Sequence, residues 1–153
     1  MEYTNDDVLR AQAFSKAAHE GQTDKAGAPY HLHPLAVSAH LTSNFEKIVA
    51  LLHDTVEDTS VTLDDVSRAF GEEVARVVNI LTYNEGETFS AYISRVAKDK
   101  TATRVKLADM NHNMDLLRLE SPGERDLSRL VNKYIPAYIS LSQALIRHSA
   151  SAE

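Results

Sequence analysis

Cysteine is absent from the 153 residues, so disulfide frameworks, thiolate zinc sites and thiol nucleophiles are excluded. Tryptophan is absent too, and five glycines and four prolines are too few for a fibrous or low-complexity chain. No stretch approaches the ~18 apolar residues of a membrane span. The start, Met1-Glu2-Tyr3-Thr4-Asn5-Asp6-Asp7, lacks the basic residues and apolar run of a signal peptide. Positive charge is also short: 16 Lys and Arg against 22 Asp and Glu leave a formal net charge of −6. That balance argues against non-specific binding to nucleic acid or an anionic membrane. A hydrophobic fraction of 43% and a charged fraction of 25% are ordinary for a soluble globule. The length fits one domain over 1–153, expected in the cytoplasm. What is abundant is histidine, seven in a chain without cysteine, so any metal site must be built from imidazole and carboxylate.

Almost every segment reads as helix, and the expected class is all-α, with seven or eight helices. Asn5 is expected to cap a first helix reaching about residue 20, stopped by Gly21. Gly21, Gly27 and Pro29 then mark a loop over 21–30, long enough to suggest a function. Pro34 suits the first turn of a second helix. A third, from Ser43 or Asn44, carries Ile48-Val49-Ala50-Leu51-Leu52, apolar nearly all round and hence buried on most sides. Thr62 with Asp65 forms a capping signal for a helix ending at Gly71, and another follows over 72–81. Further helices are expected over 89–98 and 101–119. The last opens at Ser121-Pro122-Gly123-Glu124 and runs to about residue 148, kinked at Pro136.

The chemistry concentrates where the buried third helix turns polar. His53-Asp54 follow Leu52 directly, and burying an imidazole and a carboxylate costs several kcal/mol unless they are paired or bind a metal. Glu57 is four residues after His53 and Asp58 four after Asp54, so helical continuation would place a second carboxylate one turn beyond each. Three carboxylates near a helix C-terminus oppose the macrodipole and make better sense beside a cation and an ordered water. His31 and His33 supply two further imidazoles, and Pro34 restrains His33, which favours it as the fixed ligand. Lys106, Asp109 and Asn113 share one helix face at i, i+3 and i+7. A bland alternative is a plain salt bridge beside an exposed Asn. Two imidazoles and two carboxylates suit Mn²⁺, Fe²⁺, Co²⁺ or Zn²⁺, which polarise phosphoryl oxygens and activate water. Glu57 and Asp58 are placed to exchange protons with that water and the leaving group.

His33, His53-Asp54 and Asp109 resemble the H…HD…D pattern of the HD-domain metal-dependent phosphohydrolases. The likeness extends through Ala18-His19-Glu20-Gly21-Gln22, Lys25-Ala26-Gly27-Ala28-Pro29-Tyr30-His31-Leu32-His33-Pro34, Leu51-Leu52-His53-Asp54-Thr55-Val56-Glu57-Asp58-Thr59, Phe70-Gly71 and Val105-Lys106-Leu107-Ala108-Asp109 with Asn113-Met114. In order and spacing these are similar to the hydrolase domain of the RelA/SpoT alarmone enzymes over about residues 8 to 140. The chain looks like a stand-alone small alarmone hydrolase. The resemblance implies removal of the 3′-diphosphate of (p)ppGpp, releasing pyrophosphate and GDP or GTP, with Mn²⁺. It implies His33, His53, Asp54 and Asp109 as metal ligands, Glu57 and Asp58 at the attacking water, and Lys25, Lys106 and Asn113 on the nucleotide. Tyr134 matches a substrate-facing tyrosine of stand-alone members.

The chain departs from that family at two places. Asp24-Lys25 stands where relatives carry Arg-Lys, and an Asp cannot stack on a base as the Arg does. Asn111-His112-Asn113-Met114-Asp115 replaces R-x-H-N-M-R. Both changes bear on purine recognition rather than on hydrolysis. They keep two alternatives open: an HD phosphatase acting on another nucleotide, such as NADPH or a nucleoside monophosphate, and a non-catalytic HD module that binds a nucleotide.

Overall fold

In the computed structural model, which describes residues 2–152, the chain is all-α. The order is α1 (Asn5–Ala18), α2 (Leu32–Ala39), α3 (Asn44–Leu52), α4 (Thr55–Asp58), α5 (Leu63–Phe70), α6 (Glu72–Leu81), α7 (Phe89–Val96), α8 (Lys100–Met114), α9 (Glu124–Arg129) and α10 (Ile135–Ala150). Eight of these have eight or more residues. Among the described residues there is no strand, only an isolated bridge between Thr23 and Pro29 inside the loop before α2. Among the described residues no helix is long and apolar enough to cross a membrane.

Two helices organise the core. Ile48, Val49, Ala50, Leu51 and Leu52 are all buried, so α3 is enclosed on every side, with α1, α2, α6 and α8 against it. From α8 come Ala102, Val105, Ala108 and Met110, and this helix also meets α2, α6 and α10. A helix surrounded in this way can carry a polar group into the interior only where something pairs with it. The buried polar side chains here are Thr103 of α8, whose hydroxyl donates to Val96 O, Asp109 of α8, and His53 at the end of α3.

Local signals set most boundaries, with some corrections. The cap of α1 is Thr4, not Asn5: its hydroxyl accepts from Asp7 N–H, and the Asp7 carboxylate accepts from Thr4 N–H at 2.9 Å. Gly71 joins α5 to α6 at φ +97°, where a Cβ would also meet the Tyr3 hydroxyl at 3.3 Å. Lys100–Met114 is shorter than expected and gives way to a 3₁₀ turn, Leu116–Arg118, because the Asp115 carboxylate caps that turn by accepting from Leu117 N–H. The final segment opens at Gly123, whose N–H donates to Asp126, so Ser121 and Pro122 lie outside the helix. Pro136 sits at the second position of α10, directly after a π-helical turn, Leu130–Tyr134. The wider turn accommodates the hydrogen bond that proline cannot donate.

Candidate metal centre and substrate cavity

The third helix does not continue through the His-Asp pair: α3 stops at Leu52 and a separate turn, α4, begins at Thr55. Two side chains cause the break. His53 Nδ1 donates to Ala50 O at 2.6 Å and the Thr55 hydroxyl donates to Leu52 O at 2.7 Å. Both acceptors are carbonyls that a continuing helix would have used, so local side-chain bonding competes with the ladder. Asp54 N-caps α4 at φ −98° and ψ −6°, which turns its carboxylate back toward His53. The expectation of one continuous helix is thereby corrected, although Asp58 N–H still donates to Asp54 O.

The break gathers four side chains from three parts of the chain. His33 Nε2 lies 2.9 Å from Asp109 Oδ1 and 3.7 Å from Asp54 Oδ2. His53 Nε2 lies 3.2 Å from Asp54 Oδ2 and 3.6 Å from Asp109 Oδ1. Donor atoms about 2.1 Å from one ion are at most roughly 4.2 Å from each other, and all four separations fall within that span. His33, His53 and Asp109 are buried. The hydrogen bond to Ala50 O uses the Nδ1 proton, which leaves Nε2 facing two carboxylates without a hydrogen-bond partner. Nε2 and those oxygens meet favourably only through positive charge, either a proton on the ring or a metal ion between them. Burial alone would lower the His53 pKa, but Asp54 and Asp109 overcome it and raise it well above the usual imidazole range, so even a proton is drawn in. The donor set fits a divalent metal of the nitrogen- and oxygen-liking kind.

The surroundings orient these groups. Tyr30 donates to Asp54 Oδ2 at 2.6 Å, and burial together with Asp54 raises its pKa, which keeps the phenol a donor. His33 Nδ1 lies 2.6 Å from His112 Nδ1. Burial, with the charges of His33 and Arg118, pushes His112 down to about 4, so it is a neutral acceptor for His33 Nδ1–H. That tautomer leaves His33 Nε2 free for the cluster. Lys106 Nζ donates to Asp109 Oδ2 at 2.7 Å and Asn113 Nδ2 to Asp109 Oδ1 at 2.9 Å. Burial would raise the Asp109 carboxyl, but Lys106, His33 and His53 hold it well below the usual carboxylate range. Both the salt-bridge reading of Lys106 and its nearness to the site therefore describe the same atoms.

Glu57 and Asp58 sit beside the cluster, and with Asp54 they form a second carboxylate group whose oxygens lie within 4.8 Å of one another. Glu57 Oε1 accepts from Tyr83 N–H at 2.6 Å. Burial, then Asp54 and Glu57, raises the Asp58 carboxyl to about 6.

Two recesses flank the cluster. A cavity of 270 Å³ includes Lys25, Tyr30, His33, Asn113, Arg118 and Tyr134 in its wall. A separate open cleft carries Glu57, Tyr83, Tyr92, Lys106 and Lys133. Lys133 is pulled below its ordinary range by burial and by Lys106, Arg129 and Lys25. His31 ends the loop as the N-cap of α2, without a side-chain cap bond, and is outside the cluster.

The setting of Asp24 neutralises the acid. It does not present a bare negative charge to a ligand. Its Oδ1 accepts N–H from Ala26 at 2.9 Å and from Ala28 at 3.0 Å, and its Oδ2 meets Arg118 Nη2 at 3.2 Å. Tyr30, His112, Arg118, Arg129 and Lys133 had not been singled out in the sequence. Tyr30 and His112 stood within reach of such a reading, three residues before His33 and three after Asp109; Arg118 carries no local signal at all.

The HD domain family model matches residues 11–133. The bifunctional (p)ppGpp synthase/hydrolase SpoT of Escherichia coli K12 is 32% identical over 95% of this chain and 23% of its own length. The guanosine-3′,5′-bis(diphosphate) 3′-pyrophosphohydrolase of Aquifex aeolicus is 36% identical over 73% of this chain and 18% of its own. The chain thus spans about a fifth of these relatives. A solved structure of a metazoan ortholog of SpoT, reported to hydrolyse ppGpp and to act in starvation responses, superposes with a TM-score of 0.69 at 24% identity, covering 97% of this chain and 98% of that one. At that identity the likeness is one of fold.

Proposed function

We propose that this chain, which belongs to the HD domain family, is a metal-dependent hydrolase that removes the 3′-diphosphate of (p)ppGpp, releasing pyrophosphate and GDP or GTP. The observation that carries the reading is the buried His53 Nε2, left without a hydrogen bond between the carboxylates of Asp54 and Asp109 and beside His33. His33, His53, Asp54 and Asp109 are the residues that would hold the ion, which we take to be Mn²⁺. When bound, such a cation supplies Lewis-acid polarisation of a phosphoryl oxygen and a lowered pKa for water. The substrate class is supported by the hydrolase relatives, which match 95% and 73% of this chain.

The chain's own groups divide the remaining work. Asp58 and Glu57 exchange protons with the attacking water and the departing group, Glu57 being held by Tyr83 N–H. Lys106, with Lys133 nearby, offers charge to phosphate oxygens at the open cleft. Lys25, Asn113 and Tyr134 contact the nucleoside side from the cavity. One hydrolase domain spans 1–153 in this reading, acting on a small molecule in the cytoplasm.

Incubation of purified protein with ppGpp and Mn²⁺, followed by chromatography, tests it. Pyrophosphate and GDP in equal amounts are expected. Inorganic phosphate as the product would make it a phosphatase, and intact nucleotide would make it a binding module.

A further inference from the structure

We infer that Arg118 is the specificity-determining residue that holds the base of the substrate, by stacking its guanidinium plane on the ring; this deepens the nucleotide-hydrolase reading and rests on it. Arg118 ends the 3₁₀ turn after α8, 94 residues from Asp24 in the chain. Its Nη1 donates to His112 O at 2.7 Å, a carbonyl at the negative end of α8, and its Nη2 donates to Asp24 Oδ2 at 3.2 Å. Asp24 is itself fixed by the two loop N–H groups on its other oxygen. The guanidinium is therefore pinned in its plane from two sides, while the side chain stays 26% exposed at the cavity.

Arginine binds phosphate through the donors along its edge. Here two of the five N–H donors are engaged, one on each Nη, which fixes the plane of the guanidinium and turns its flat face into a platform for a ring. The rest of the wall points the same way. Leu116, Leu119, Leu130 and Tyr134 are partners for a ring, while the cations Lys25 and Arg129 of the same wall are offset by the carboxylates of Asp115 and Asp126. Phosphates are better served in the cleft of Lys106 and Lys133. A sequence that places an acid at position 24 thus still has a guanidinium in its cavity, delivered from position 118. Stacking reads ring area rather than hydrogen-bonding pattern, so the cavity favours purines over pyrimidines without separating guanine from adenine by this contact.

The test uses the full chain with Mn²⁺ and three variants. Arg118→Lys keeps the charge and loses the plane; Arg118→Ala loses both. Asp24→Asn keeps an oxygen for the Ala26 and Ala28 N–H groups while weakening the grip on Arg118. Both Arg118 variants are expected to raise KM for ppGpp by about two- to thirtyfold with kcat nearly constant, and Asp24→Asn by less. Calorimetric titration of wild type should find GDP and ADP binding alike and more tightly than UDP. Arg118→Lys should weaken GDP and ADP and leave inorganic pyrophosphate unaffected. Equal weakening of pyrophosphate, rescue by lysine, or unchanged GDP affinity overturns the inference. Should Arg118 variants fail to fold, an Asp24→Asn protein with unchanged KM and GDP affinity overturns it as well. If wild type leaves ppGpp intact, the proposed activity fails, and the GDP and pyrophosphate titrations still decide Arg118.

Discussion

Glu57 and Asp58 are neighbours in sequence with different surroundings. Glu57 is tied to Tyr83 N–H and faces the cleft with two lysines. Asp58 has its carboxyl raised to about 6, by burial first and by Asp54 and Glu57 after it. A carboxyl raised toward neutrality is suited to hold and release a proton during the reaction. Neither belongs to the cluster of His33, His53 and Asp109. Glu57→Gln and Asp58→Asn are therefore expected to retain stoichiometric metal by elemental analysis and to lose on the order of 10²–10⁴ in kcat, the usual contribution of proton transfer. Loss of metal in both would move them among the ligands. The site's residues were readable in proportion to how local their signals are. His53 and Asp54 announce themselves by following an apolar run. Lys106, Asp109 and Asn113 do so by helical spacing. The pairing of Asp24 is not legible, because its partner is Arg118 and no spacing rule connects residues 94 apart.

Helix ends repeat the same lesson one level up. Thr62 and Asp65 form a reciprocal pair, Asp65 Oδ2 accepting from Thr62 N–H at 3.0 Å and from its hydroxyl at 2.7 Å, and this was legible from a four-residue pattern. The break after Leu52 was not legible, since it depends on His53 Nδ1 and the Thr55 hydroxyl choosing carbonyls over solvent. Nor could the π-helical turn before Pro136 be separated in advance from a simple kink. The capping pair carries its own prediction. Thr62 bonding holds the Asp65 carboxyl below its ordinary value of 3.8. A carboxyl lowered by folding contributes stability that is present above the unfolded pKa and lost as pH falls through the folded one. Thermal midpoints of wild type should thus fall below about pH 4 more steeply than those of Asp65→Asn. Thr62→Ala should cost roughly 1 kcal/mol at neutral pH. Parallel acid curves for wild type and Asp65→Asn would remove the cap from the account.

Across the whole molecule, a chain of net charge −6 still gathers Lys25, Lys106, Arg129 and Lys133 close enough to depress Lys133. Such a group of cations helps to draw a polyanion toward the cleft. The same site ties the fold together. His33 comes from α2, His53 and Asp54 from the junction of α3 and α4, and Asp109 from α8, so an ion held by all four would clamp three separately packed segments. An unfolded chain cannot offer these ligands at such separations. A ligand that binds only the folded state adds about 2.7 kcal/mol at a hundredfold excess over its Kd. For a chain of this length each kcal/mol moves the thermal midpoint by roughly 2–4 °C, so saturating Mn²⁺ should raise Tm by about 5–11 °C over chelator-treated protein. His53→Ala removes the unpaired Nε2 and should melt at the same temperature with Mn²⁺ or with chelator. A wild-type midpoint indifferent to Mn²⁺, Fe²⁺, Co²⁺ and Zn²⁺ alike would mean that the cluster takes a proton rather than a metal, the direction in which Asp54 and Asp109 pull His53.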